Sequence, residues 1–109
     1  MVLRQFTPKY VHLRKYDYDG RLKSKGGCTI AYMPANNERT LYLATLARCH
    51  NDEPFTKRIG REVAAGRLAS EYTKAERFFV KVDPDASVPV GSQITDQFYY
   101  EGKLSFLWS

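Results

Sequence analysis

The stretch R39-TLYLATLARCHNDEPFTKRIGREVAA-G66 decides the fold, because it passes from a strand into a helix within one short turn. In its first half, residues 39–50, Leu41 and Leu43 face one way while Tyr42, Ala44 and Leu46 face the other. Apolar side chains on both faces mark a central strand covered on both sides, or an interface. In its second half, Asn51 or Asp52 can cap a helix, and Asp52 and Glu53 place negative charge near its start. Pro54 is tolerated there because first-turn amides have no partner within the helix. Phe55, Ile59 and Val63 fall within about 80° of one another on a helical wheel and form an apolar stripe. Lys57, Arg58 and Arg61 gather on the other side as a basic face. Gly60, beside the stripe, allows a close approach to a sheet, and Gly66 reads as the stop. The expected helix covers about 52–66.

Outward from this segment the remaining signals are strands and turns. KYVHLRKYDY (9–18) alternates, with Val11 and Leu13 on one face and Tyr10, His12, Arg14, Tyr16 and Tyr18 on the other. Asp19-Gly20 is a turn, and residues 21–27 are a basic loop or the frayed start of the next strand. CTIAYMP (28–34) is a strand closed by a proline, and residues 35–38 are turn chemistry. FFVKVD (78–83) is a strand, residues 83–93 a loop, and residues 97–109 a hairpin turning at Glu101-Gly102, with Phe106 and Trp108 on one face. Residues 67–77 are ambiguous; the helix can resume through Ser70-Glu71-Tyr72. The expectation is one α+β domain over residues 1–109: an antiparallel sheet of about five or six strands with one main helix packed on it.

At 109 residues, with 43% apolar and 14% aromatic content, the chain can bury one core. No apolar run is long enough to span a membrane, and no secretion signal is read at the start, so the expected location is the cytoplasm. Lysine and arginine number 17 against 12 acidic residues, a net charge of +5. Residues 82–109 hold Asp83, Asp85, Asp96 and Glu101 against Lys103 alone, which leaves net +8 on the first 81 residues. A basic front and an acidic tail favour an anionic partner on one side.

The chemistry-bearing residues are few. Cys28, Cys49, His12 and His50 lack metal-ligand spacing, so no metal or cofactor is expected. Cys49 and His50 are adjacent on a strand, where side chains point to opposite faces, so the histidine is badly placed as a base. The paired carboxylates sit in turns or caps, and Gly26-Gly27 precedes a strand and not a helix. No catalytic residue is assigned, and the chain is expected not to be an enzyme. The binding candidates are basic: Lys57, Arg58, Arg61 and Arg67 around the helix, and Arg14, Lys15, Arg21 and Lys23, with Lys25, around the first turn. Guanidinium forks suit phosphates and carboxylates, and Tyr16 and Tyr18 among them offer rings on which bases stack.

Residues 46–68, LARCHNDEPFTKRIGREVAAGRL, resemble a segment of small uncharacterised accessory proteins of tailed bacteriophages. There a cysteine-ended strand and an acidic turn precede a helix of the form F-x-[KR]-[KR]-[IV]-G-R-x-[IV]-A-x-G-R. Here the pattern falls on Cys49, Phe55, Lys57, Arg58, Ile59, Gly60, Arg61, Val63, Ala64, Gly66 and Arg67, about a fifth of the chain. The resemblance implies a protein that binds and antagonises a host or defence protein complex, of the anti-CRISPR, anti-defence or polymerase- and nuclease-inhibitor kind. Direct binding of nucleic acid or a nucleotide is the alternative.

Overall fold

A computed structural model describes residues 7–50, 52–69 and 77–108. Four strands, β1 (Lys9–Leu13), β2 (Cys28–Pro34), β3 (Leu41–Arg48) and β4 (Arg77–Lys81), form one antiparallel sheet in the order β1-β2-β3-β4. Helix α1 (Lys57–Ala69) lies between β3 and β4 in sequence, helix α2 (Val90–Tyr100) follows β4, and a short 3-10 turn spans Ser105–Trp108. The α+β class and the antiparallel sheet match the sequence reading; among the described residues the sheet has four strands instead of five or six, and the α-helices number two instead of one.

Strand alternation separates two cores. One face carries Cys28, Ile30, Tyr42, Ala44 and Val80, packed against Ile94 and Phe98 of α2 and against Leu104 and Leu107. The other carries Ala31, Met33, Leu43 and Ala47, packed against Ala64 and Leu68 of α1. The apolar residues on both faces of β3 are therefore explained by a helix on each side.

The expected C-terminal hairpin is replaced by α2. Gly91, Ile94 and Phe98 are its buried residues, a helical spacing that begins inside the segment read as a loop. Glu101-Gly102 is a turn signal used differently: Gly102 has φ +79°, its N–H donates to Tyr99 O at 3.0 Å, and Lys103 N–H donates to Phe98 O at 2.9 Å. That pair of bonds is a Schellman cap, so the left-handed glycine ends a helix instead of reversing a hairpin.

Helix α1 begins later than expected, at Lys57, with no acidic residue in its first turn. Residues 53–55 are held extended instead: Gly26 N–H donates to Glu53 O at 3.1 Å, Phe55 N–H donates to Ser24 O at 2.9 Å, and Lys25 bridges Pro54. The helix runs through Gly66 to Ala69, so Gly66 is not its stop. The Asn51 cap and the resumption at residues 70–72 lie outside the described residues.

Candidate partner-binding surface

The first surprise in α1 is which side it buries. Ile59 is 51% exposed and Val63 is 41% exposed, whereas Ala64 and Leu68 are buried. The expected Phe55–Ile59–Val63 stripe therefore does not pack as a unit. The packing face is Gly60, Ala64 and Leu68, rotated by roughly 140° at 100° per residue. The sheet explains this choice. Under α1 lie Thr29, Ala31, Thr45 and Ala47, all small, and a row of small residues on the helix lets the two backbones close on each other. A Cβ at Gly60 would overlap Thr29 Oγ1 and come within 3.0 Å of Thr29 Cβ. The Thr45 hydroxyl donates to Ala64 O at 2.9 Å and ties helix to strand. Larger Ile59 and Val63 are left at the flank, beside a small groove of about 140 Å³ that also touches Arg48, Cys49 and Thr56.

Along the other flank the N-terminal half of α1 meets β1. His12 Nδ1 and the Thr29 hydroxyl are 2.9 Å apart. The His12 ring stacks near Tyr10 and meets Phe55 edge-on at a centroid distance of 6.0 Å. Burial lowers the His12 pKa, and the charges of Lys57 and then Arg61 lower it further. Two cations of the basic face thus converge on an imidazole kept neutral. Arg58 and Arg61 are exposed. Glu62 lies 3.9 Å from Arg58 as an exposed i,i+4 pair, a contact worth about 0–1 kcal/mol.

The other basic candidates divide. Arg67 donates to Leu46 O at 2.7 Å and so ties α1 to β3, half-buried. Lys15, expected at the partner surface, is only 4% exposed and engaged, and burial takes it off that surface. Residues 14–25 form a folded arm: Tyr16 bridges Leu22, Asp17 Oδ1 accepts the N–H groups of Asp19 and Arg21 at 2.9 Å each, and Gly20 takes a left-handed turn. Arg14 is spent within this arm, donating to Lys23 O at 2.8 Å through Nη2 and 3.1 Å through Nε. Arg21, Lys23 and Lys25 are exposed, and the pairing of residues 24–26 with 53–55 sets their loop beside the start of α1. The structure therefore joins two basic segments that are remote in sequence. The signal for the true packing face was present as Gly60-x-x-x-Ala64-x-x-x-Leu68, a spacing of four that the larger apolar residues obscured.

Neither thiol is activated. Cys28 is buried, which pushes its pKa up to about 12. The Cys49 pKa is raised chiefly by burial, and its S–H points among the carbonyl oxygens of His50, Glu53 and Pro54 at 3.5–3.7 Å. His50 is turned to Asp52, whose N–H donates to Nδ1 at 3.2 Å, so it does not serve Cys49 as a base. Among the described residues no group of three or more His, Cys, Asp or Glu could hold a metal ion, and no helix is long and apolar enough to cross a membrane. No family model matches the chain, and no curated protein or solved structure matches it either.

Proposed function

We propose that this protein acts by binding and not by catalysis, and that α1 presents the working surface to an acidic patch on a partner protein. The observation that carries the reading is the composition of the exposed α1 surface: Ile59 and Val63 stand clear of the core on the helix that also bears Lys57, Arg58 and Arg61. Exposed aliphatic side chains supply the apolar centre of a protein interface, and arginines supply its directional contacts. With the phage-like segment mapping onto this same helix, the partner we favour is a host or defence protein complex that the chain antagonises in the host cytoplasm. Direct nucleic-acid binding is the second reading; it draws on Tyr18, fully exposed in the arm with Arg21 and Lys23.

Affinity capture from a bacterial host lysate, with and without nuclease, separates the two. The expected result is a protein retained after nuclease, lost when Arg58→Glu/Arg61→Glu is used as bait, and lost again with Ile59→Asp. Loss of all capture on nuclease treatment, with binding that falls steeply with salt, would make the chain a nucleic-acid binder. Unchanged capture by both folded variants would show that α1 is only solvated.

A further inference from the structure

A second site lies on the opposite face of the sheet, where the N-terminus of α2 meets the ends of β1, β2 and β3. We infer that the cavity of about 470 Å³ there binds a small organic anion bearing a flat ring, of the size and chemistry of a nucleoside monophosphate. The volume lies within the range of small-molecule pockets. Among the described residues its lining includes Lys9, Tyr32, Arg39, Tyr42, Pro89 and Gly91 and no carboxylate.

Four independent features converge on that ligand. Tyr42 is 5% exposed and lines the cavity, and its hydroxyl has no hydrogen-bond partner among the described residues. No buried side-chain polar atom among those residues is left unsatisfied, so this hydroxyl reaches solvent, and the cavity is where it does so. The Tyr32 ring stands beside it at a centroid distance of 6.0 Å, and burial followed by the proximity of Tyr42 raises the Tyr32 pKa, keeping that phenol a hydrogen-bond donor. Two phenol donors and two ring faces suit a planar group carrying acceptors.

The charge comes from Lys9 and Arg39. Arg39 takes φ +59°, the left-handed region that favours glycine, in a turn that Asn36 fixes through its Oδ1 to Thr40 N–H at 3.0 Å and Leu41 N–H at 3.3 Å. A large side chain in this conformation is strained, and such strain concentrates where a side chain is needed. Finally, α2 enters the cavity wall through Pro89, which offers no side-chain cap, and its first turn holds no acidic residue. Gly91 brings that turn against Tyr32: a Cβ there would lie 2.9 Å from the Tyr32 hydroxyl. The α2 N-terminus adds a positive dipole end to the two cations.

The test uses the whole protein, AMP as probe, and adenosine and inorganic phosphate as its two halves, followed by calorimetry and amide chemical shifts. AMP is expected to shift the amides of residues 90–92 and of Arg39, and to bind more tightly than either half. Arg39→Gly removes the cation and suits the left-handed backbone, and the variant, shown to be folded by circular dichroism, should bind AMP about tenfold more weakly. Tyr42→Phe should weaken AMP without moving phosphate. Arg61→Glu, on the other face, should leave AMP binding unchanged. Absence of AMP shifts at residues 90–92 at millimolar probe, or equal AMP affinity in the folded Arg39→Gly variant, would overturn the site. Equal affinities for AMP and phosphate would overturn the ring as part of the ligand.

Discussion

Two glycines in α1 should respond to the same substitution with opposite signs. Both are helical, and in an open helix glycine is about 0.5–1 kcal/mol worse than alanine. Gly66 has nothing within 4 Å of the place a Cβ would occupy, so Gly66→Ala should gain that amount. A gain of this size raises the melting temperature by several degrees in a domain of about 100 residues. At Gly60 the same methyl group overlaps Thr29 Oγ1 and sits 3.0 Å from Thr29 Cβ. Thr29 is fully buried in a central strand and cannot move aside, so α1 must lift or the threonine must leave its position. Overpacking of this kind costs about 1–3 kcal/mol. Losing the bond between His12 and Thr29 adds about 0.5–1.5 kcal/mol. Set against the propensity gain, Gly60→Ala should be destabilising by about 1–3 kcal/mol. Urea denaturation of both variants measures the two free energies, and the slope checks that the transition stays two-state. In the Thr29→Ala background the penalty at Gly60 should shrink, because the nearest obstructing atom is gone. If Gly60→Ala stabilises the protein as Gly66→Ala does, the close helix–sheet contact is wrong, and with it the assignment of the buried face.

Three further outcomes follow from the same geometry. Leu68→Ala, at a position 1% exposed, should cost about 2–5 kcal/mol, whereas Ile59→Ala should cost well under half of that; thermal melts of the pair would expose a wrong rotation of α1 by reversing the order. His12 has a lower pKa folded than unfolded, so the unfolded chain binds its proton first: the His12 contribution is intact above about pH 6.5 and declines as pH falls from there through the folded pKa. An acidic partner over Lys57 and Arg61 should raise that pKa, a shift visible in the imidazole proton resonances, and no shift on binding would place the partner elsewhere. Cys28 should resist thiol reagents in the native protein at pH 8, and Cys28→Ala/Cys49→Ala should retain partner binding; loss of binding in a folded variant would give the thiols a role that their surroundings do not.

Short-range chemistry was enough to set several of the local conformations. Strand β2 was legible to its ends because its β-rich run is closed by Pro34, and the faces of β1 and β3 were legible because a period of two admits one answer. The close approach at Gly60 was also readable, since the lack of a Cβ has few other uses on a helix. Where the same residues serve two geometries, long-range packing made the choice. Glu101-Gly102 ends a helix as readily as it turns a hairpin, and Phe98-Tyr99-Tyr100, read as strand, is helical because Gly91, Ile94 and Phe98 together cover the sheet face that β3 had already marked as apolar. The buried side of α1 was decided by the surface beneath it. Thr29, Ala31, Thr45 and Ala47 form a shallow bed that accepts Gly60 and Ala64 and leaves Ile59 and Val63 to the flank, and no periodicity within the helix contains the shape of that bed. The candidate surface follows the same rule. Its charges were visible one by one, but their division into an exposed group, a buried Lys15 and a structural Arg67 depends on tertiary contacts, in the last case with Leu46, 21 positions back along the chain.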